Sequence, residues 1–135
     1  MTRQAAKVAT AVPAVDPGAA GLRTFFRIAE AWRLTPGEQR ALLGNVAKQT
    51  LYNWRDDPAH ARLSDDQLDR LSYVLGIYKA LHIIFTRAEQ ADGWIRRPND
   101  APPFGGAPAA AVMCSGKMED LMRVRRYLDG ARSPW

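Results

Sequence analysis

Most of the chemistry that a 135-residue chain could advertise is missing from this one. Cys114 is its only cysteine, which forbids an internal disulfide and a cysteine zinc cluster and points to a reducing, cytoplasmic location. Its two histidines, His60 and His82, have no second ligand at metal-binding spacing, so no metal is expected. Apolar runs fall far short of a membrane span. Residues 1–20 carry Arg3 and Lys7 among Ala, Val and Pro, without the continuous apolar stretch of a secretory leader, and predict a flexible tail. No segment alternates with strand period and none repeats. The stretch "CSGKME" holds a Gly-Lys pair, but Met118 replaces the hydroxyl residue of a phosphate loop, and Ala111 stands where its leading glycine would be. Cys114 has no histidine beside it in sequence, and the pairs Asp56–Asp57 and Asp65–Asp66 sit at helix ends, where capping accounts for them. Neither an enzyme nor a cofactor site is expected.

What is present reads as a string of helices. Apolar residues at 47% suffice for a core, and a net charge of +5 suits an anionic partner without naming one. Over 22–33, Leu22, Phe25, Phe26, Ala29 and Trp32 share one face at helical spacing. Thr35, Pro36 and Glu38 form a capping signal for a second helix over 36–43, which Gly44 can end in a left-handed conformation. After a turn through Asn45 and Val46 a third helix spans about 47–56, stopped by Asp57 and Pro58. A second capping box, Ser64 with Gln67, opens a long fourth helix through the stretch ending at Glu89. Leu68, Leu71, Leu75, Tyr78, His82 and Phe85 make one apolar row on it and Val74, Ile77, Leu81 and Ile84 a second, so it should be buried on two sides. Proline and glycine then cluster through residues 93–117, allowing only a short helix near 107–113, before a last helix over about 117–129 that Gly130 ends.

The second and third helices have the length and spacing of a helix-turn-helix, whose second helix enters the major groove of DNA. That helix carries an unusual density of hydrogen-bonding side chains. Gln49 and Asn53 suit paired bonds to an adenine edge, Lys48 suits guanine or phosphate, and Thr50, Tyr52 and Arg55 suit phosphate oxygens. Leu51 and Trp54 would face inward. The alternative is a bundle helix with a polar face, and the basic footprint is thin: Arg40, Lys48 and Arg55 against Glu38 over 35–55. A dimer on a two-part operator would offset that thinness.

The C-terminal part has an interface character. Arg123, Arg125 and Arg126 line the polar side of the last helix, and the chain closes on Trp135. Arg and Trp are the types that most often anchor protein interfaces. Trp94 is expected in the core and Trp135 outside it.

Within residues 94–135 stand Trp94-Ile95, Pro98-Asn99, Gly105-Gly106, Pro108, Gly116 and Leu128, in that order. This ordered set resembles the C-terminal toxin-binding domain of the Xre/MbcA/ParS antitoxin family. The upstream helices are similar to that family's Xre-like helix-turn-helix, so the resemblance covers about 22–135. The alanines at 107, 109, 110 and 111 depart from its bulkier pattern. The resemblance implies an all-α protein: a flexible tail (1–20), a helix-turn-helix domain (21–86) and a small helical toxin-binding domain (87–135). It implies an antitoxin whose partner is a RES-domain toxin that degrades NAD, inhibited by occlusion of its active site, and a repressor that binds its own operator DNA as a homodimer. On that reading toxin contact falls to Asn99, Phe104, Arg123, Arg125, Arg126, Tyr127, Arg132 and Trp135. Two other readings stay open: a stand-alone transcriptional regulator whose C-terminal domain only dimerises, and a regulator that binds a small molecule.

Overall fold

Proline and two hydroxyl caps decide where the helices begin. The computed structural model describes residues 17–132, with only the backbone of Arg132. Those residues contain seven α-helices, two single 3-10 turns, and no strand beyond an isolated bridge between Pro98 and Pro108. The expected all-α architecture, a helix-turn-helix bundle followed by a smaller helical unit, is the one adopted.

Helix α1 spans Pro17–Ala31. Proline suits the first helical position because its missing N–H would go unpaired there anyway. The helix therefore starts inside the segment read as a tail, whose first sixteen residues lie outside those described. Its apolar face buries Leu22, Phe25, Ile28 and Ala29, with Trp32 just beyond its end.

Helix α2 spans Pro36–Leu42 and α3 spans Lys48–Asp56. The capping box of α2 is closed in both directions. Thr35 Oγ1 accepts from the Glu38 N–H at 3.1 Å, and Glu38 Oε1 accepts from the Thr35 N–H at 2.9 Å. The turn to α3 passes through Gly44 (φ 91°) and Asn45 (φ 61°), both left-handed, and Arg40 pins it by donating to the Val46 carbonyl at 2.8 Å. A 3-10 turn, Pro58–His60, follows α3, and there His60 pairs with Asp57 at 2.6 Å.

Helix α4 spans Asp65–Ile84, behind the Ser64–Gln67 capping box. It packs on α1 along one side and on the last helix along another, as its two apolar rows require. Of the second row Val74, Ile77 and Leu81 are fully covered and Ile84 half-buried; of the first, Leu71 is buried and Leu68, Leu75, Tyr78, His82 and Phe85 lie half-buried. The helix stops at Ile84, short of the expected Glu89. β-Branched Ile83, Ile84 and Thr86 weaken it there, and Phe85 is extended (φ −103°, ψ 131°). The break lets α5 (Ala88–Gly93) fold back, so that Asp92 meets His82 at 2.7 Å. A 3-10 turn, Trp94–Arg96, leads to α6 (Ala109–Met113) and α7 (Met118–Arg132). Gly130 does not end α7. It is helical and exposed, where glycine costs only about 1 kcal/mol relative to alanine.

The two halves of the chain meet at a polar joint. Arg96 donates to the carbonyls of Trp32 and Arg33 at 3.0 and 2.9 Å. Its other reach is bidentate, to both carboxylate oxygens of Glu38 at 2.8 Å each. One side chain thus caps the end of α1 and grips the residue that caps the start of α2. The Arg96 guanidinium holds the Glu38 carboxyl below its ordinary value, against the opposing effect of burial. Cys114 lies at the same joint, its Sγ 3.9 Å from the Glu38 carbonyl. Burial, aided by the Glu38 charge, pushes its thiol up to about 12, so it stays protonated and inert near neutrality.

Candidate functional site

Two surfaces gather the functional candidates, one in each half of the chain. The first is built by α3. Leu51 and Trp54 are buried and fix the helix to the bundle, as their spacing predicts. Lys48, Gln49, Asn53 and Arg55 are exposed, and Thr50 and Tyr52 half-buried. All six sequence-derived candidates for DNA therefore lie on or beside the free face of one helix. Gln49 Nε2 donates to Asn53 Oδ1 at 2.9 Å, one turn apart. Among the described residues this pair leaves the Gln49 amide oxygen as a free acceptor and the Asn53 amide nitrogen as a free donor, a combination suited to an adenine edge. Lys48 stands over the Tyr52 ring at 6.0 Å and Arg55 over the same ring at 5.7 Å. Arg55 is also bound by Gln39 Oε1 at 2.7 Å and lies over Phe26 at 5.3 Å. Helix α3 has no side-chain cap at Ala47, so its first N–H groups are open to an anion.

The second surface is carried by the 93–108 loop and α7. Asn99 is occupied in shaping the loop: its Oδ1 accepts from the Ala101 N–H at 2.9 Å, and its carbonyl accepts from Gly106 at 2.7 Å. Gly105 (φ 56°) and Gly106 (φ 93°) take the left-handed turn that closes it, a conformation that L side chains rarely adopt. Phe104 is only 4% exposed and packs edge-on to Trp94 (5.6 Å) and Tyr127 (5.3 Å). In this conformation it supports the surface from beneath. Trp94, expected in the core, is half-buried and stacks near-parallel to Tyr127 at 6.4 Å; its neighbour Ile95 takes the fully buried place. Trp94 is thus packed against the core rather than enclosed by it; the adjacent apolar pair in the sequence does not say which member is fully enclosed.

The arginines of α7 divide. Arg125 lies across Gly76 of α4, where any Cβ would collide with its guanidinium, and its Nε donates to the Asp129 carboxylate at 3.2 Å. It is committed to its own chain. Arg126 is exposed and has no ion pair among the described residues, and Arg123 is half-exposed with only a 3.6 Å pair to Asp120. The side chain of Arg132 and all of Trp135 lie outside the described residues.

No group of three or more His, Cys, Asp or Glu among the described residues could hold a metal ion. No helix among them is long and apolar enough to cross a membrane.

Residues 11–76 match the antitoxin Xre-like helix-turn-helix domain, and residues 80–133 match the antitoxin Xre/MbcA/ParS C-terminal toxin-binding domain. The chain is also 48% identical, over 113 residues, to the uncharacterized protein y4oB of Sinorhizobium fredii (strain NBRC 101917 / NGR234), covering 84% of each chain. The helix-turn-helix match takes in α1 to α3 and much of α4; the toxin-binding match takes in α5 to α7.

Proposed function

The chain belongs to the Xre/MbcA/ParS antitoxin family, and from that premise we propose that it neutralises a RES-domain, NAD-degrading toxin by covering the toxin's active site, and represses its own operon. The observation that carries the proposal is the surface on α7 and the preceding loop. Trp94 and Tyr127 present partly exposed aromatic area, Phe104 wedges them from below, and two exposed arginines flank them: Arg126, with no ion pair among the described residues, and Arg123, held only by a 3.6 Å pair to Asp120. Aromatic anchors beside free guanidiniums are the composition of a protein-binding hot spot. Arg132 and Trp135 continue the same end of the chain in sequence and belong to the proposed contact set. Asn99 and Arg125 shape that surface rather than touch the partner.

At the other end, α3 reads the operator with Gln49 and Asn53, while Lys48, Thr50, Tyr52 and Arg55 hold phosphates. A homodimer on two half-sites supplies the affinity that one thinly charged monomer lacks. The protein acts by binding, as a cytoplasmic regulator without catalysis.

The test is co-expression with the RES-domain reading frame expected beside the gene. The two proteins should co-purify, and the complex should leave NAD intact where free toxin consumes it. Arg126→Glu together with Tyr127→Ala should restore NAD loss without changing operator binding. A chain that binds its operator but never the toxin would instead be the stand-alone regulator.

A further inference from the structure

A cleft of about 520 Å³ opens beside α3, between it and α1, lined by Phe26, Arg27, Glu30, Arg33, Gln39 and Arg55 among others. We propose that this cleft is a seat for the sugar-phosphate backbone of duplex DNA, with Arg27 and Arg33 as its added cationic contacts. The proposal rests on the DNA-reading role of α3 and extends that interface onto α1, outside the helix-turn-helix proper.

Three observations carry it. The cleft holds three guanidiniums against one carboxylate, Glu30, over a floor that includes Phe26, Ala29 and Leu34. Arg27 and Arg33 are exposed, and neither has an ion pair among the described residues, so their charge is free for an outside partner. Secondly, the cleft is built around a buried polar group. Gln39, 5% exposed, donates to the Leu34 carbonyl at 3.0 Å and accepts from Arg55 at 2.7 Å, which aims the Arg55 head while leaving most of its donors unused. The Lys48, Tyr52, Arg55 and Phe26 contacts then form an unbroken path from the groove-facing side of α3 to the cleft. Thirdly, Arg33 closes α1 in the left-handed conformation (φ 54°), with the Leu34 N–H on the Ala29 carbonyl at 2.8 Å and Arg96 on the Arg33 carbonyl at 2.9 Å, so the backbone from which this cation projects at the rim of the cleft is fixed.

The open and cationic form favours a polyanionic backbone over an enclosed small ligand. It also answers the thinness of the charge on α2 and α3. Glu38, the carboxylate of α2, is already neutralised by Arg96, and α1 supplies the missing cations.

The experiment measures the affinity of the full chain for a duplex from upstream of its gene, and for a scrambled duplex of equal length, across a salt series. Changing Arg27→Gln and Arg33→Gln together should make the slope of log affinity against log salt shallower by about 1 per arginine, and weaken both duplexes equally. Arg27→Lys with Arg33→Lys should keep the slope, because charge is retained; its retention also separates a contact loss from a folding defect. An unchanged slope in the glutamine pair, with wild-type binding intact, overturns the cleft proposal and leaves α3 as the reader. Failure of the wild type to bind either duplex overturns the DNA reading itself, and the cleft with it. If millimolar tripolyphosphate raises the melting temperature through Arg27 and Arg33 while the DNA slope stays fixed, the cleft serves a free anion and the proposal fails.

Discussion

Arg96 does more for the fold than any other charged residue described, because its guanidinium reaches four acceptor oxygens of the N-terminal half: two backbone carbonyls and both oxygens of Glu38. Replacing it with Met keeps the stem but leaves those acceptors to water. The pair is partly exposed, so the expected loss is modest, about 1–2 kcal/mol, visible as a lower urea midpoint. Lys should not restore it, since an ammonium cannot make the bidentate contact. The same pair predicts a pH dependence. The Glu38 carboxyl sits below its ordinary 4.5 in the folded chain, chiefly through the Arg96 hydrogen bonds. Its stabilisation is therefore complete above that pH and is lost as acid protonates it below. On acidification through that range the wild type should lose melting temperature faster than Glu38→Gln does; parallel curves would show the pair to be energetically idle. The sequence made half of this visible. Thr35, Pro36 and Glu38 announce a capping box because the box is local, whereas the hold of Arg96 on Glu38 spans 58 positions and has no local signature.

Among the elements, α3 divides most cleanly into a buried and a free face, and the two faces should fail differently. Leu51 is wholly buried, so Leu51→Ala should cost about 2–5 kcal/mol of stability. Gln49 and Asn53 are exposed and bonded only to each other, so changing both to Ala should leave stability within about 0.5 kcal/mol. Operator affinity should instead fall about 5- to 150-fold, given about 1–3 kcal/mol for a bidentate base contact. Equal affinity for the operator would remove the groove assignment. The helix-turn-helix was legible because each of its signals lies within a few residues: cap, left-handed Gly44, inward Leu51 and Trp54. Element ends were less so. The stop of α4 at Ile84 depends on α5 folding back to bring Asp92 to His82, and Gly130 continues α7 although glycine often ends helices. Gly116, by contrast, has a tertiary reason to be glycine. Its φ is 90°, and a Cβ there would lie 2.7 Å from the Asn45 side-chain amide in the α2–α3 turn. Gly116→Ala should destabilise by about 1–2 kcal/mol, read by thermal melting.

For the whole molecule, α4 is the element that both halves need. Val74, Ile77, Ala80 and Leu81 are all fully buried, between α1 on one side and α7 on the other, and α7 contributes Leu121, Val124 and Leu128 to the same core. The two proposed recognition surfaces therefore share one hydrophobic interior, although the sequence changes composition at the proline- and glycine-rich stretch after α5. Each large apolar side chain returned to water costs about 1.5–3 kcal/mol, while a domain of this size is stable by only about 5–15 kcal/mol. Ending the chain at Phe85 removes α7, which uncovers one whole side of α4, and it also takes away Arg96 with its hold on α1 and α2. A chain ending at Phe85 should thus fail to fold cooperatively, even though it keeps the complete helix-turn-helix. The full chain should unfold in one transition. Tryptophan emission, which reports Trp32 and Trp54 in the first half and Trp94 and Trp135 in the second, should follow the same curve as far-ultraviolet circular dichroism. Two separated transitions, or a well-folded chain ending at Phe85, would mean that the DNA-reading half stands alone and that α4 belongs to it only.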